Sequence, residues 1–393
     1  MAAKEHRVAL IGAGRIAGVH LGYARGVPAT RIVGVCDADP RRAEEFAAAR
    51  KVPAHFSDVG EMMRRTEPNI VHVVTPPATH ATLGIAALSA GANVFVEKPM
   101  AMTVAEAVQM EEVAREHGRR LCVDHNRLFD PVVLKARKLV ADGTLGEVVS
   151  VEVHQGVNLV EEGGVAGGAK HWSVEDRFAP LYNLGPHPLY LVDEFMGPFD
   201  DIEVRGRTAR GDDAVLSEIR VVLGGPRGYG YVAFSMGAQP YLNHLTIYGT
   251  RATLRLNLNT MTVVLEQVRR LPKLAAKLAA NLEPAGQMVA ATVSNVLAVA
   301  TRRMKLYPGI GENIRRFYRS LDEGDPSPVS AEAGIAVVRM LNEIQAQLER
   351  GLASDSGARP ASLDLAKRAP EAPEASMTTG PKPAAEKDAS WTS

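Results

Sequence analysis

The sequence has little cysteine and no excess of charge of either sign. Only Cys36 and Cys122 occur among its 393 residues, each inside an apolar run that reads as a separate strand. Such a pair argues against a disulfide framework or a cysteine metal site and indicates reduced core residues. The chain has 45 basic and 45 acidic residues, so its overall charge would attract neither nucleic acid nor an anionic membrane.

Other features are also missing. The segment before the first strand, Met1–Arg7, has no apolar stretch of the signal-peptide type, so the expected compartment is the cytoplasm. No spacing of His, Cys and Asp indicates a metal site, and the basic clusters lack the interleaved aromatic residues of a nucleic-acid surface. With 46% hydrophobic and 23% charged residues, the composition is typical of a globular protein, and the length predicts two domains and a tail.

The first 127 residues alternate short apolar runs with helical patterns. The apolar runs are Arg7–Ile11, Arg31–Asp37, Ile70–Thr75, Asn93–Glu97 and Leu121–Asp124, with a weaker one at His55–Phe56. The helical patterns between them include Pro40–Arg50, Thr79–Ala90 and Thr103–His117. This alternation predicts a doubly wound parallel α/β sheet, a Rossmann domain over residues 1–127.

The pattern changes after a linking helix at Pro131–Asp142. Period-two alternation predicts a mostly antiparallel sheet with strands at Val148–Val157, Ile202–Thr208, Ala214–Leu223, Gly228–Ser235 and Leu242–Leu258. Helices expected to cover one face of this sheet are Tyr182–Met196, Ile310–Asp322 and Ala331–Arg350. We therefore expect an α+β substrate and oligomerisation domain at 128–350, followed by a disordered tail at 351–393 that is rich in Ala, Pro, Glu, Lys and Ser.

The segment Gly12-Ala13-Gly14-Arg15-Ile16-Ala17 directly follows the first strand and opens a helix. In a dinucleotide-binding turn, Gly12 permits the tight turn and Gly14 lets a pyrophosphate approach the backbone at the helix N-terminus, beside Arg15 and Ile16. Such a motif is weak alone, but here a strand precedes it and a helix follows. The sequence therefore predicts a nucleotide site.

Asp37 ends the second strand, 20 residues beyond Ala17. An acid at this position accepts both ribose hydroxyls and repels a 2′-phosphate, which favours NAD over NADP. Arg41 and Arg42 follow closely and offer the opposite alternative, since an arginine there can hold a 2′-phosphate.

The fifth strand ends in Val96-Glu97-Lys98-Pro99. Ligands of parallel sheets bind at the carboxyl ends of the strands, so Lys98 is placed where a nicotinamide ring would lie. A partly desolvated lysine there can hold a substrate hydroxyl or ease the loss of its proton. The alternative is a solvated lysine at a strand end.

Four motifs in this order and spacing resemble the Gfo/Idh/MocA oxidoreductase family. They are GAGRIA at residues 12–17, Thr75-Pro76-Pro77-Ala78-Thr79-His80, Glu97-Lys98-Pro99 and Asn126-Arg127-Leu128-Phe129-Asp130-Pro131. The second half resembles the family more loosely, through Asn183-Leu184-Gly185-Pro186-His187 and Ile247-Tyr248-Gly249-Thr250. The resemblance covers about residues 6–350.

The resemblance implies an NAD(P)-dependent enzyme that transfers a hydride between nicotinamide and a hydroxyl or keto group of a sugar, cyclitol or nucleotide-sugar. It implies that Lys98 contacts the reacting oxygen and that His187 is the general acid or base, a role that suits imidazole. The cofactor contacts that it implies include Thr75, Pro76, His80, Glu97 and Asn126.

The chain departs from the family pattern at two positions. Asn183 stands where the family has an acid, and Tyr190 stands at a later carboxylate position. An amide cannot balance an imidazolium, although it can hydrogen-bond a substrate. Asn183 thus permits an alternative function, a catalytically silent nucleotide-binding regulator, whereas the retention of Lys98 and His187 favours the enzyme.

Several further residues are candidates for substrate contact: His125, His154, His171, Trp172 and Asn183. The sixth strand ends at His125, and His154 lies on the first strand of the second domain. His171 and Trp172 lie beside a Gly-rich loop at 163–168, which could close as a lid. For the three histidines and Trp172 a purely structural role is an open alternative.

An insertion at 269–306 is longer than the family resemblance leads us to expect. Its segment Pro284–Thr301 has no charged residue, shows helical apolar spacing and is flanked on both sides by Arg and Lys. The segment is too polar for a comfortable membrane span. The favoured interpretation is an intersubunit or interdomain helix in a homo-oligomer, and the alternative is a membrane-surface helix.

Overall fold

The computed structural model describes residues 5–158, 177–208, 216–301 and 307–355. Both predicted sheets are present, and both lie in one compact unit, Met1–Leu352. The Gly-rich loop with His171 and Trp172, and most of the predicted disordered tail, lie outside the described residues.

The first sheet has six strands, paired in the order β3-β2-β1-β4-β5-β6, and every pair is parallel. Its strands are β1 His6–Ile11, β2 Thr30–Cys36, β3 His55–Phe56, β4 Ile70–Val73, β5 Asn93–Val96 and β6 Leu121–Val123. This order is that of a Rossmann domain, as predicted. The strand order reverses between β1 and β4, so a cofactor crevice is expected beyond the carboxyl ends of these two strands.

Five helices connect these strands: α1 Arg15–Ala24, α2 Pro40–Arg50, α3 Val59–Thr66, α4 His80–Ser89 and α5 Val104–Glu116. Helix α5 begins with a capping box, because the Thr103 side chain accepts from the Glu106 amide and the Glu106 carboxylate accepts from the Thr103 amide. Helix α3 is short and was not predicted.

The second sheet has seven strands in the order β13-β12-β11-β7-β10-β9-β8. They are β7 Val148–Asn158, β8 Asp201–Thr208, β9 Leu216–Gly225, β10 Gly228–Ser235, β11 Gly237–Gly249, β12 Ala252–Asn257 and β13 Thr262–Gln267. Only the β7–β10 pair is parallel. The single run predicted at Leu242–Leu258 is in fact two strands, β11 and β12, and β13 then forms an edge of the sheet.

The remaining helices are α6 Pro131–Ala141, α7 Ala179–Leu184, α8 Pro186–Met196, α9 Lys273–Ala300, α10 Pro308–Glu323 and α11 Ala331–Asp355. The predicted helix Tyr182–Met196 is divided at Gly185, where an added Cβ would collide with the Leu181 carbonyl oxygen. Helix α8 covers one face of the second sheet, because Val192 fills the space above Gly230 of β10.

The prediction that α10 covers this same sheet was wrong, whereas α11 does reach it, with Leu348 above Gly206 of β8. Helix α10 packs on the Rossmann domain, with the Phe317 ring centroid 5.6 Å from that of Phe95 on β5. Helix α11 contacts both domains, since Asn342 donates to the Met102 carbonyl (2.8 Å) and Gln347 bonds to β8 near its end. An amphipathic pattern shows that a helix buries one face, but not which surface receives it. We therefore propose that the Rossmann unit includes α10, beyond the predicted boundary at residue 127.

Candidate active site

The turn after β1 is built on Gly12. Its φ is +106°, and an added Cβ would lie 2.7 Å from the Val74 carbonyl oxygen, just beyond β4. Its amide donates to the Cys36 carbonyl at 2.7 Å. The glycine is needed because the backbones following β1, β2 and β4 converge there, at the crevice of the sheet.

Gly14 precedes α1, and its surroundings fit a pyrophosphate. An added Cβ at Gly14 would meet no atom of the described chain within 4 Å, so the protein itself does not require glycine at this position. Within the described residues no side chain caps α1, and Arg15 is exposed while Ile16 is half-buried. The first amides of α1 are therefore available to an anionic ligand.

The Asp37 carboxylate follows β2 beside this turn, with 10% of its side chain exposed. It accepts hydrogen bonds from the amides of Ala13 (2.8 Å) and Asp39 (3.0 Å), which fix its orientation. Arg42 approaches Asp37 with an N–O distance of 3.4 Å. The Arg41 guanidinium is exposed and forms no hydrogen bond within the described residues. Together with the amides of α1, this carboxylate fits the ribose and pyrophosphate of NAD.

His80 connects the loop after β4 to the loop after β5. Its ring is buried, with Nδ1 2.7 Å from the Pro99 carbonyl oxygen and Nε2 2.7 Å from the Thr75 carbonyl oxygen. Burial lowers the pKa of His80, and the two carbonyl contacts oppose that shift. His80 therefore holds the Thr75-Pro76 segment in a fixed position relative to Lys98, rather than offering a free nitrogen to a ligand.

Lys98 lies at the junction of the two domains. Its Nζ donates to the Asn183 carbonyl at 2.6 Å, at the end of α7, and its amide donates to Glu97. Burial lowers the pKa of Lys98, and the carboxylates of Glu97 and Asp124 partly oppose this. The Asn183 side chain forms no hydrogen bond within the described residues, so its amide is available to a ligand.

A buried acid–base group lies behind Lys98. His20 Nε2 is 3.0 Å from Glu97 Oε1 and 3.7 Å from Asp124 Oδ2. Burial alone would raise the pKa of Glu97, but the His20 hydrogen bond and the charges of His20 and Lys98 outweigh it and lower that pKa. Burial and the charge of Glu97 raise the pKa of Asp124 to about 7.

Within the described residues, these three are the only His, Cys, Asp or Glu side chains grouped closely enough to ligate one ion. The hydrogen bond between His20 and Glu97 already occupies two of the would-be ligands. Glu97 was expected to contact the cofactor from the sequence; the structure instead directs its carboxylate into this group and toward the Lys98 amide.

His187 lies in the first turn of α8, one turn before Tyr190. The Tyr190 hydroxyl donates to Asn126 Oδ1 (3.1 Å) and accepts from the Arg127 amide (3.1 Å), so the contact with His187 Nδ1 (2.7 Å) is donated by the imidazole. Nε2 of His187 then carries a lone pair. Burial, followed by the charges of Lys98 and Arg127, places the pKa of His187 well below its ordinary value, so the ring is a neutral proton acceptor.

His125 packs against the same tyrosine. Its ring is stacked on that of Tyr190 with centroids 4.4 Å apart, and its Nε2 is buried without a hydrogen-bond partner in the described part of the chain. Burial and the charge of Lys98 lower the pKa of His125 to about 3, so this ring is also neutral. An orphaned buried nitrogen next to Tyr190 is consistent with a ligand contact.

Three functional candidates were missed in the sequence: Arg127, Gln155 and Asn243. With its amide oxygen turned toward Arg127, Asn243 accepts from both terminal guanidinium nitrogens at 3.1 and 3.0 Å. Gln155 pairs with Asn243 across β7 and β11, is 2% exposed, and has neither amide atom hydrogen-bonded within the described residues. Arg127 lies in the motif that begins at Asn126, but no local sequence signal distinguishes Gln155 and Asn243, because their roles depend on strand pairing and on the face each occupies.

The structure does not bring His154 to this group. Successive residues of a strand point to opposite faces, and Gln155 shares its face with α8. His154 therefore lies on the other face, where its Nε2 is 3.0 Å from Ser235 Oγ. The remaining substrate candidates, His171 and Trp172, lie outside the described residues.

Comparison with known families shows the family to which the chain belongs. A family model described as GFO/IDH/MocA oxidoreductases with an NAD-binding Rossmann fold matches residues 6–125, and the model of the GFO/IDH/MocA C-terminal domain matches residues 133–255. The chain belongs to the GFO/IDH/MocA family. It is therefore an NAD-binding oxidoreductase, which confirms the family, enzyme class and cofactor predicted from the sequence.

Two curated relatives illustrate the similarity. The chain is 30% identical to the inositol 2-dehydrogenase of Rhizobium meliloti (strain 1021) over 230 residues, which cover 54% of this chain and 68% of that protein. It is 34% identical to the D-glucoside 3-dehydrogenase of Escherichia coli (strain K12) over 149 residues, which cover 38% of this chain and 42% of that protein.

Among solved structures, the WlbA dehydrogenase from Bordetella pertussis, in complex with NADH and UDP-GlcNAcA, has a TM-score of 0.72 at 19% identity, covering 89% of this chain and 97% of that one. A levoglucosan dehydrogenase, in complex with NADH and L-sorbose, has a TM-score of 0.74 at 17% identity, covering 88% and 97%. At these identities the likeness shows the fold.

The position of Asp37 leads to a prediction of cofactor choice. We expect the protein to bind NADH more tightly than NADPH, and Asp37→Ala to shift the ratio of the two affinities toward NADPH by about tenfold or more, because the repulsion of a 2′-phosphate is removed. Fluorescence titration with each nucleotide measures the ratio. Asp39→Ala is the control, since this acid lies two residues further along and caps α2. Tighter binding of NADPH by the parent would show that Arg41 or Arg42 controls the site.

Proposed function

We propose that the protein oxidises a secondary hydroxyl of a sugar, cyclitol or nucleotide-sugar with NAD, using Lys98 and His187 as the catalytic pair. The observation that carries this proposal is the contact of Lys98 with the Asn183 carbonyl, just before α8 begins. That contact brings a lysine of the Rossmann domain next to a neutral histidine of the second domain, whose pKa its charge lowers.

Each residue would act on a different atom of the reacting alcohol. The Lys98 ammonium donates a hydrogen bond to the substrate oxygen and stabilises the negative charge that develops as its proton leaves. His187 Nε2 takes that proton, while Tyr190 holds Nδ1 and so fixes both tautomer and orientation. NAD, when bound, supplies the acceptor for the hydride that leaves the adjoining carbon. In the reverse direction His187 returns the proton to the carbonyl oxygen.

The surroundings of this pair suit a ligand with several hydroxyl groups. Among the described residues nothing bonds to the buried amide of Gln155 or to the buried Nε2 of His125, so both offer polar atoms to a ligand. A buried polar group without a partner is costly, so a polyol that bonds to these groups gains affinity over an apolar alcohol. The Asn183 amide adds a further donor and acceptor next to its own carbonyl, which contacts Lys98.

The cytoplasm is the compartment that we propose. Cys36 and Cys122 are both free thiols buried in the core, which suits a reducing environment. No helix among the described residues has the length and apolar character needed to cross a membrane.

Tyr190→Phe tests the role of the tyrosine as a positioning residue. We expect kcat to fall by about 10-fold or more, because Nδ1 of His187 loses its acceptor and the proton-accepting tautomer is no longer favoured. The acidic limb of the kcat/KM profile should move to lower pH, since the charged imidazolium loses more from the missing acceptor than the neutral ring.

The matched control is Tyr182→Phe. Tyr182 is also a buried tyrosine, but its hydroxyl bonds to Gln345 and Asn342 on α11. Its pH profile should remain that of the parent. If Tyr190→Phe and Tyr182→Phe have the same pH profile, the proposed link between Tyr190 and His187 is wrong.

The proposed activity is tested by NAD reduction with the purified full-length protein. A panel of cyclitols, aldoses and nucleotide-sugars should contain at least one substrate, and apolar secondary alcohols of similar size should be turned over far more slowly. If NAD binds but no alcohol or ketone of the panel is turned over in either direction, the proposal of catalysis fails, and the nucleotide-binding regulator takes its place.

A further inference from the structure

Helix α9, Lys273–Ala300, has an unusual position for an apolar helix. It is 28 residues long, and none of its residues is buried. It lies along β13, the edge strand of the second sheet. The interdomain arrangement considered for the insertion is therefore wrong, because a helix packed between domains would bury residues on more than one side.

The side of α9 that faces its own protein consists of small side chains, mostly alanine, and a few polar ones. Gln287 bonds to the edge strand twice, accepting from the Leu265 amide (2.8 Å) and donating to the Leu265 carbonyl (2.9 Å). Asn295 donates to the carbonyls of Thr260 and Met261, each at 2.9 Å. Gln287 satisfies backbone groups that the edge strand leaves unpaired, and Asn295 satisfies carbonyls of the turn before it, so this face of the helix is already occupied.

The opposite side of α9 is apolar and exposed. Its side chains recur at helical spacing and are between 54% and 74% exposed: Leu274, Leu278, Leu282, Val289, Val293 and Val296. Helix α9 thus has the reverse of the usual orientation, in which the apolar face packs inward. With Met288, Leu297 and Val299, the surface has nine large apolar side chains that are each more than half exposed, and an extended apolar patch of this kind marks an interaction surface.

The segment that contains α9 is strongly basic, although the chain as a whole is neutral. Residues 269–306 include seven basic side chains and one acid, Glu283, so their net charge is +6. The basic residues lie on both sides of the uncharged stretch: Arg269, Arg270, Lys273, Lys277, Arg302, Arg303 and Lys305.

This charge decides between the two surfaces that could cover the apolar face. A second copy of the chain would use the same patch on both partners, which would place two segments of charge +6 against each other. An anionic lipid bilayer complements both properties at once, because the apolar face enters the acyl region while basic side chains that precede it, such as Lys273 and Lys277, reach the lipid phosphates.

We propose that α9 attaches the protein to an anionic bilayer surface, lying parallel to it. The sequence alone favoured a subunit interface, and the outward direction of the apolar face together with the local charge reverses that preference. This proposal does not depend on the proposed catalytic function, because no residue of α9 belongs to the active-site group.

The test is co-sedimentation of the full-length protein with vesicles. Binding should be strong to phosphatidylglycerol-containing vesicles, at least about tenfold weaker to pure phosphatidylcholine, and reduced by added salt. Leu278→Gln/Val289→Gln/Val296→Gln should abolish binding to both. Lys273→Gln/Lys277→Gln should weaken binding to the anionic vesicles and reduce its salt dependence.

The matched control is Val149→Gln/Tyr229→Gln/Tyr241→Gln, which replaces three other exposed apolar residues. This variant should bind vesicles as the parent does, and NADH binding by all variants reports that they are folded. Vesicle binding that survives the triple change on α9 would overturn the proposal. So would a lipid-free dimer that the same triple change converts to monomers, together with no vesicle binding by the parent; this result would assign the face to a second copy.

Discussion

Lys98→Ala and His187→Ala should each lower kcat by about 100-fold or more while leaving the affinity for NADH nearly unchanged. The physical reason is that each side chain is proposed to act on the reacting oxygen or its proton, whereas the cofactor is expected to be held by the turn at Gly12 and Gly14 and by Asp37. Steady-state kinetics and NADH fluorescence titration on the same preparations separate the two effects.

His154→Ala is the control for this pair. It removes a half-buried histidine from the same domain as His187, but from the opposite face of the sheet, so turnover should stay close to that of the parent. Asn183→Asp should retain or increase activity, since the contact with Lys98 is made by the backbone carbonyl. Parent-like turnover by both alanine variants would refute the catalytic pair.

Gly12→Ala should destabilise the protein by about 2–4 kcal/mol and abolish NADH binding. A φ of +106° is strained for alanine, and its Cβ would lie 2.7 Å from the Val74 carbonyl oxygen, so the backbones following β1 and β4 would have to separate. The change would act where the nucleotide is expected to bind. Urea unfolding measures the loss of stability, and fluorescence titration measures the loss of binding.

Gly22→Ala is the matched control, a glycine in the last turn of the adjacent helix α1. An added Cβ there meets nothing within 4 Å, and alanine is the better helix former, so stability should rise by about 0.5–1 kcal/mol with NADH binding intact. If Gly12→Ala is as stable as the parent, the close approach of the two backbones is not what requires glycine.

Local patterns sufficed for much of the fold. Each parallel strand lies within a residue or two of its predicted bounds, because a short apolar run between turn residues is a local signal. The partner of a helix is not local information. Helix α10 was predicted with nearly the observed bounds, yet its apolar face packs against Phe95 of the Rossmann domain rather than against the second sheet.

The same distinction applies to the site. Lys98 and Asp37 could be placed from the sequence because each follows a parallel strand, and such strand ends converge in a doubly wound sheet. Tyr190 could have been found, since His187 and Tyr190 are three residues apart on one helix and therefore adjacent. Gln155 and Asn243 could not, because their proximity depends on the register of β7 with β11.

The Tyr190 hydroxyl helps to hold the two domains together before a ligand binds. It joins His187 and the helix α8 to Asn126 and the Arg127 amide at the end of the Rossmann domain, and the Lys98–Asn183 bond crosses the same boundary. Separating the domains here would break all of these contacts within a buried region. The groups proposed for catalysis are thus preorganised before any ligand arrives, and little binding free energy is spent on assembling them. Affinity then reports the contacts of the ligand itself, without a penalty for a rarely populated closed state.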